Sequence, residues 1–240
     1  KKVADKLNAL LNNDRPSYEK IYDDIRVFIE YACLREKKFY ERVKDSLMLR
    51  LVGDNNDCDK TVTIDEYLEA AKGKHEGKVY YTNDISQQSQ AISLLRGEGI
   101  DVAIFDLVVD SQYLAALEHY RQDIKFVRVD SGVTEVIKTE FPEETAKNSE
   151  EITSLFKKIA KNEQLTVTCE QLKNSEIPAI LSVSEESRRM EDMTKLYALG
   201  GSDADAFPLD YTLTLNTSSP LYTKLSEMMS ACDEKLDLFA

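Results

Sequence analysis

The sequence predicts an α/β fold: a helical coil, then a small αβα unit with a parallel sheet, then a mixed α+β domain. Three observations predict this order. Apolar residues recur at helical spacing through residues 1–70, β-prone runs alternate with amphipathic segments over 78–130, and strand-like runs alternate with two longer helices after 165. We therefore expect a helical coil at 1–70, an αβα unit at 71–140 and a C-terminal domain at 141–240.

Residues 1–70 are predicted to be helical. Apolar stripes with spacings of three and four residues run through 18–29 and 39–51. The Asn- and Asp-rich stretch at 53–60 predicts a turn. Thr63, followed three residues later by Glu66, has the pattern of a capping box and predicts a short helix from that point. The stripes indicate helices that pack against one another.

The region 78–130 predicts a small parallel sheet with helices on both faces. Short runs at 79–82, 100–109 and 125–129 are strand-like, and amphipathic segments separate them. The turn after the first strand, at 81–86, contains neither Gly nor Lys. Phosphate cradles need glycines for close backbone approach and favour positive groups, so this turn excludes a dinucleotide site or a P-loop there.

An acidic pair after the second strand leaves a different α/β function open. A receiver-like phospho-acceptor domain needs several carboxylates at strand ends, and this sequence offers Asp106 and Asp110. One pair is a weak pattern, so solvated helix caps are the favoured interpretation. A small receiver-like or catalytic α/β domain stays an alternative, and Mg²⁺ binding or acyl-phosphate labelling at these residues would be its signature.

The charge balance bears on the class of partner. Lys and Arg number 31 and Asp and Glu number 44, which gives a formal net charge of −13. This surplus works against nucleic acid or an anionic membrane as a partner, because both attract clustered cations. The best apolar run, 102–109, is interrupted by Asp106 and is far shorter than the roughly 20 residues of a membrane helix. We predict no nucleic-acid and no membrane partner.

The four cysteines are too far apart for a local metal or redox pair. Cys33, Cys58, Cys169 and Cys232 are separated by at least 25 positions, so the sequence has no CxxC motif. We interpret them as free thiols in a reducing cytoplasm. The two histidines provide too few further ligands to predict a zinc site.

Two late helices carry most of the functional information. Ser182 and Glu185 have capping-box spacing before a helix that ends at Gly200-Gly201, and its apolar positions include two methionines, whose flexible side chains adapt to different shapes. The second helix begins at Ser219-Pro220, and its apolar face suits another helix, either within the chain or in a partner subunit.

These segments resemble a known family. LSVSEESRRMEDM at 181–193, then Gly200-Gly201, Phe207-Pro208 and LTLN at 213–216, are similar to the C-terminal domain of the heat-shock-protein-90 chaperones. The strings KKVADKL at 1–7, TIDEYL at 63–68, KVYYT at 78–82 and KFVRVD at 125–130 resemble the end of that family's middle domain. The resemblance covers nearly the whole chain and is closer to the bacterial form.

The resemblance implies a chaperone that binds unfolded or partly folded client proteins and forms a homodimer. Client contacts in the family are attributed to an amphipathic helix of the C-terminal domain and to an aromatic residue on the αβα unit. Dimers of the family form through a bundle of late helices, so 141–240 is expected to be a dimerisation domain. The matching client-binding positions here are Tyr113, Met190, Met193, Leu196 and Tyr197. The matching dimerisation positions are Leu221, Tyr222, Leu225, Met228 and Met229.

The resemblance also implies which parts lie elsewhere. The family's ATP pocket is in an N-terminal domain and its catalytic arginine loop is in the larger part of the middle domain, and neither matches this sequence. We therefore expect no ATP hydrolysis, no catalytic residue, no cofactor and no metal in this chain, with ATP and Mg²⁺ bound by the parent protein. The start without Met predicts a piece of a longer chain. Co-chaperones and a cytoplasmic location follow from the family.

A purely structural role is the remaining alternative. The same late helices would serve a dimerisation module that binds no client, because spacing alone does not distinguish a core-packing face from a client surface.

Overall fold

The computed structural model describes residues 1–54, 58–139, 149–162, 165–199 and 210–237, with the side chains at 59, 195–199 and 230–237 outside the description. The chain divides into two compact units, Lys1–Val129 and Asp130–Ala240. Both units combine helices with strands, which confirms the predicted mixed α/β class.

The first unit contains a helical N-terminal half followed by alternating strands and helices. Its helices are α1 (Lys2–Asn13), α2 (Arg15–Arg35), α3 (Lys37–Val43), α4 (Ile64–Ala71), α5 (Ser89–Gly97) and α6 (Asp110–Tyr120), with a 3₁₀ turn at Lys44–Ser46. Its strands are β1 (Met48–Val52), β2 (Cys58–Thr63), β3 (Lys78–Thr82), β4 (Ala103–Ile104) and β5 (Lys125–Arg128).

The five strands form one mixed sheet in the order β2-β1-β4-β3-β5. Strands β3, β4 and β5 are parallel, as the spacing of 78–130 predicts. The hairpin of β1 and β2 extends this sheet, because β1 pairs antiparallel with β4 through Leu51 and Ala103. The antiparallel hairpin is an addition to the parallel sheet expected from the sequence.

Tyrosines of α2 join the helical half to the sheet. The Tyr18 hydroxyl donates to the Ser46 carbonyl oxygen over 2.8 Å, and the Met48 N–H donates to the Tyr22 hydroxyl over 3.1 Å. Both tyrosines are buried, and their rings meet edge to face with centroids 5.5 Å apart. Hydrogen-bonded hydroxyls allow these large side chains to be buried without leaving a polar group unsatisfied.

The prediction for 39–60 is wrong in two places. Residues 48–51, assigned to a helix, lie in β1, and residues 58–60, assigned to a turn, begin β2. Four of the five residues of β1 are buried, so the strand has a nearly continuous apolar sequence. In so short a run, such a sequence matches a helical stripe equally well.

The second predicted strand is much shorter than expected. Only Ala103–Ile104 of the run 100–109 is a strand, although the Phe105 N–H still donates to the Thr82 carbonyl oxygen over 2.9 Å. Beyond this point the Leu107 N–H donates to Asp110 Oδ2 over 2.8 Å, which turns the chain into α6. The pairing of β1 with β4 also means that residue 70 is not a boundary between compact units.

The capping box at the start of α4 is confirmed. The Glu66 N–H donates to Thr63 Oγ1 over 3.2 Å, and the Thr63 N–H donates to Glu66 Oε2 over 2.8 Å. Arg15 adds a bidentate contact to the same carboxylate, at 2.5 and 2.8 Å, and it holds the pKa of Glu66 well below its ordinary value.

The second unit is a three-stranded mixed sheet with helices. Its strands have the order β6-β8-β7, with β6 parallel and β7 antiparallel to β8. The three strands lie after residue 165, where the sequence predicts strand-like runs. The elements are α7 (Val129–Ile137), α8 (Ser149–Ala160), β6 (Thr166–Glu170), β7 (Ala179–Val183), α9 (Glu185–Leu199), β8 (Tyr211–Asn216) and α10 (Pro220–Asp237).

Asn216, at the end of β8, makes four side-chain hydrogen bonds and is fully buried. Its Nδ2 donates to the carbonyl oxygens of Asn174 and Ile177 over 2.9 and 2.7 Å. Its Oδ1 accepts the N–H groups of Leu172 and Ser218, both over 3.0 Å. The side chain therefore fixes the 171–178 loop to the turn that leads into α10.

Candidate functional site

One residue, Ser184, separates the end of β7 from the start of helix α9, and this serine is the helix cap rather than the predicted Ser182. The Ser187 N–H donates to Ser184 Oγ over 3.1 Å. Ser182 lies within β7, where its Oγ donates to the Thr212 carbonyl oxygen over 3.4 Å. Because the strand continues to Val183, the helix starts two residues later than the capping-box spacing predicts.

Polar contacts hold the first turns of α9 in place. Arg188 lies 3.0 Å from Asp130 Oδ2 and 2.9 Å from Glu191 Oε2. The Ser131 hydroxyl donates to Glu185 Oε2 over 2.8 Å, so this hydrogen bond and the ion pair of Asp130 with Arg188 both join α7 to α9. Ser187 is buried and its hydroxyl donates to Asp210 over 3.2 Å. The helix is therefore anchored largely through hydrogen bonds and ion pairs.

The methionines of α9 are left on the surface. Met190 is 40% exposed and Met193 is 48% exposed, and the two lie one turn apart on the same side of the helix. The backbone of α9 continues to Leu199, but the side chains of Leu196 and Tyr197 lie outside the described residues. The structure thus makes an apolar surface available at two of the predicted client-binding positions.

Helix α10 divides the predicted dimerisation residues between two faces. Ser219 is its N-cap, with Oγ accepting the Leu221 N–H over 3.3 Å, and Pro220 opens the helix as the sequence predicts. Three predicted residues, Tyr222, Leu225 and Met229, pack on the core that β6, β8 and α8 form. The two that remain exposed are Leu221, at 63%, and Met228, at 64%.

Tyr113 differs from the expected client contact. It is 3% exposed and belongs to the core of the first unit, because α6 turns this face toward α2. The exposed positions of α6 carry Gln112, Ala115 and His119, none of which is a large apolar side chain. A side chain so deeply buried presents almost no surface to a client, so we withdraw Tyr113 from the candidate surface.

Curated chaperones match almost the full length of this chain. Chaperone protein HtpG of Porphyromonas gingivalis strain ATCC 33277 is 31% identical over 237 residues, which cover 94% of this chain and 34% of the chaperone. HtpG of Bacteroides thetaiotaomicron is 30% identical over 245 residues, which cover 97% of this chain and 35% of that protein. The chain is HtpG-like, of the heat-shock-protein-90 family. No family model matches the sequence.

The HtpG-like chain spans about a third of the length of the curated relatives that it matches. Among solved structures, the middle domain of a heat shock protein from Plasmodium falciparum has a TM-score of 0.45 and 16% identity, over 54% of each chain.

Exposed apolar residues also occur where the sequence predicts core. Phe28 and Tyr31 of α2 are 73% and 58% exposed, although Phe28 lies in the stripe assigned to packing. Leu181, on the edge strand β7, is 57% exposed. Spacing did not separate these positions from their buried neighbours, because α2 has apolar residues on more than one side.

Arginines lie beside the acidic pair of the HtpG-like chain. Asp106 contacts Arg26 and lies 3.6 Å from Arg50, and Asp110 Oδ2 lies 3.6 Å from Arg26. Asp110 is buried, so it is not the solvated cap that the sequence predicts. Arg26 comes from α2, some eighty residues away along the chain, and only the fold reveals this partner.

Within the described ranges, no group of three or more His, Cys, Asp or Glu side chains could hold a metal ion. None of the described helices combines the length and the apolar character that crossing a membrane requires. Cys33, Cys58 and Cys169 are free thiols.

Proposed function

We propose that this chain is the client-binding and subunit-pairing part of an HtpG-like chaperone, and that it binds unfolded or partly folded proteins without chemistry of its own. The observation that carries the proposal is the exposure of Met190 and Met193 on a helix held by polar anchors. Large apolar side chains on a fixed surface cost solvation free energy, and such patches mark interaction sites.

Methionine is suited to this role because its side chain is flexible and polarisable. A client that is partly folded presents no fixed shape, so a surface that adapts its rotamers binds many sequences. Arg188 and Glu185 hold the backbone of α9 while the methionines remain free to change rotamer. The net charge of −13 favours solubility in spite of the apolar surface.

Subunit pairing is proposed for the outer face of α10. Leu221 and Met228 are seven residues apart, which places them on one side of the helix, and both are more than 60% exposed. The neighbouring side of the helix, with Tyr222, is already packed on the chain's own core. The proposed dimer contact is therefore narrower than the five residues expected from the sequence.

We further propose that ATP and Mg²⁺ bind to parts of the parent protein outside this chain, and that this chain needs neither to hold a client. Client proteins, a second copy and co-chaperones are its proposed partners, and the cytoplasm is its proposed location. The resemblance to the family supports these assignments.

A holding assay tests the client surface. Thermally unfolded citrate synthase is allowed to aggregate with the wild-type chain or with the double variant Met190→Ser/Met193→Ser, and turbidity is followed. The matched control is Ile159→Ser on α8, which also replaces an exposed apolar side chain of the second unit, 66% exposed. We expect the double variant to lose most of the holding activity and the control to retain it. Equal activity in all three chains would contradict the proposal.

The alternative, a purely structural dimerisation module, is tested in parallel. Multi-angle light scattering over a concentration series compares the wild type with Leu221→Ser/Met228→Ser. Concentration-dependent dimerisation that the substitutions weaken, together with no holding activity in the wild type, would favour the structural module. A wild type that stays monomeric at all concentrations would contradict the proposed pairing face.

A further inference from the structure

A cluster of charged side chains lies in the first unit where α2, α6 and β1 meet. Its deepest members are two carboxylates, Glu30 of α2 and Asp110 of α6, which are 2% and 3% exposed. Both carboxyl groups lie beside the same nitrogen, Arg26 Nη1, which brings them close together, and each of them shifts the pKa of the other. Glu30 Oε2 and Asp110 Oδ1 are buried and receive no hydrogen bond from any described residue. Two ionised carboxylates in this position would be two acceptors facing each other.

Arg26 does not neutralise this pair. Its Nη1 lies 3.7 Å from Glu30 Oε1 and 3.6 Å from Asp110 Oδ2, both beyond hydrogen-bond length. The closer contacts of the guanidinium are with Asp106, through Nη2, and with Asp23, through Nε at 3.2 Å. The buried Arg26 is therefore shared among four carboxylates, and two of these are partly exposed.

We propose that Glu30 and Asp110 bind one proton between them, so that a buried carboxyl–carboxylate hydrogen bond ties α2 to α6 at neutral pH. The proton turns one of the facing acceptors into a donor, and it leaves one buried negative charge opposite the one positive charge of Arg26. The proton resides on Glu30, because Asp110 Oδ2 already accepts the Leu107 N–H over 2.8 Å, which favours the ionised form of Asp110.

The electrostatic surroundings agree with this placement. Burial raises the pKa of Glu30 far above its ordinary value, and the neighbouring Asp110 carboxylate raises it further. Burial also raises the pKa of Asp110, although the contacts with Glu30 and the Leu107 N–H oppose that rise. Arg26 lowers the pKa of both groups, but this effect is smaller than that of burial.

Other titratable and charged groups also face the pair. They come from α2, α6, β1 and the loop between β4 and α6, and are Tyr22, Asp23, Arg26, Cys33, Arg50, Asp106 and Tyr113. Burial raises the pKa of Tyr22 and of Tyr113, and it raises the pKa of Cys33 to about 12. These three groups therefore stay neutral over the range in which Glu30 titrates, and they do not supply the missing charge.

The sign of the pH dependence follows from the raised pKa. In the unfolded chain Glu30 loses its proton near the ordinary value of 4.5, whereas the folded chain keeps it to higher pH. The folded state binds one more proton than the unfolded state across that window, so the contribution to stability falls as pH rises. One proton corresponds to about a tenfold change in the unfolding equilibrium constant per pH unit.

Urea unfolding of the whole chain at roughly pH 6 and pH 8 tests this inference, because both values lie above the ordinary glutamate pKa. Tyrosine fluorescence reports mainly on the first unit, which holds nine of the twelve tyrosines. Glu30→Gln keeps the shape and supplies a permanent N–H donor to Asp110, and Glu36→Gln is the exposed control. For each pH unit, we expect the unfolding equilibrium constant of the wild type and of the control to rise about tenfold more than that of Glu30→Gln. Parallel pH profiles for the wild type and Glu30→Gln would overturn the proposal.

Infrared spectroscopy of the wild type gives an answer that does not depend on whether a variant folds. A protonated carboxylic acid has a carbonyl stretching band separate from the bands of carboxylates and amides. We expect this band at neutral pH in the folded wild type, and we expect urea to remove it. Absence of the band from the folded wild type at neutral pH would overturn the inference, whatever the stability of Glu30→Gln.

Discussion

Replacement of Asn216 by alanine is expected to destabilise the second unit severely. The substitution removes four hydrogen bonds of 2.7–3.0 Å, which reach the Asn174 and Ile177 carbonyl groups and the Leu172 and Ser218 N–H groups. Each intramolecular hydrogen bond contributes about 1 kcal/mol net, so the loss is about 4 kcal/mol. The backbone groups of Leu172 and Ile177 remain buried and unsatisfied, so the loss of stability should be larger than this figure rather than smaller.

Hydrogen exchange followed by mass spectrometry is the assay, because it reports on each unit separately. A loss of about 4 kcal/mol lowers the protection of amides in β6, β7 and β8 by about a thousandfold, provided that they exchange through unfolding of this unit. Peptides from the first unit serve as the internal control and should keep their protection. A decrease of less than about tenfold in the three strands, or an equal decrease in both units, would refute the reasoning.

Asn216→Asp separates the accepting from the donating half of this network. The new carboxylate keeps the two accepted hydrogen bonds from Leu172 and Ser218, but it sets a negative charge 2.7–2.9 Å from two carbonyl oxygens. We expect the aspartate to be at least as destabilising as alanine at neutral pH, because an unpaired charge is added. Protonation of the carboxyl group restores one donor, so the defect should diminish in acid. Wild-type stability of the aspartate at neutral pH would show that the donated bonds contribute nothing.

Three further substitutions give predictions of different size. Gly77→Ala should lower the free energy of unfolding in urea more than Gly73→Ala does. Both glycines have φ near +70°, a conformation that destabilises alanine by about 1 kcal/mol. Of the two, only Gly77 has a backbone oxygen 2.9 Å from the position of the new Cβ. Equal costs would remove the role of that close contact. Thr63→Ala should lower stability by about 1 kcal/mol through loss of the capping hydrogen bond to the Glu66 N–H, and an unchanged urea midpoint would contradict this. Tyr113→Ala should cost about 3–5 kcal/mol, and holding of citrate synthase should persist wherever the variant stays folded; loss of holding without loss of stability would restore Tyr113 as a client contact.

Local signals in the sequence predicted much of the fold. The capping box at Thr63, the β-prone run at 78–82 and the Ser219-Pro220 start of α10 depend on neighbouring residues alone, and the structure confirms each. The error at 48–51 has a different cause. A strand buried on both faces has no alternation of apolar and polar residues, and its assignment depends on pairing partners that are distant in the sequence.

The candidate site was predictable only as far as helical spacing allows. Spacing placed Met190 and Met193 on one side of α9, but it did not show that this side faces solvent. Likewise, the five apolar residues of α10 form one broad set in the sequence. Only the packing of Tyr222 on β6 and β8 shows which of them already contact the chain's own core. Asp110 shows the same limit, because its burial depends on Arg26 and Glu30, which lie far away in the chain.

The pairing of β1 with β4 has a practical consequence for anyone who divides this chain. A protein that starts after residue 71 would lack β1 and β2, and β4 would lose the neighbour that now covers it, including the Val52 N–H that donates to the Val102 carbonyl oxygen over 2.9 Å. Open strand edges of this kind invite pairing between molecules and precipitation. The αβα unit at 71–129 is therefore a poor choice for separate expression unless the expressed protein also includes the hairpin at 48–63.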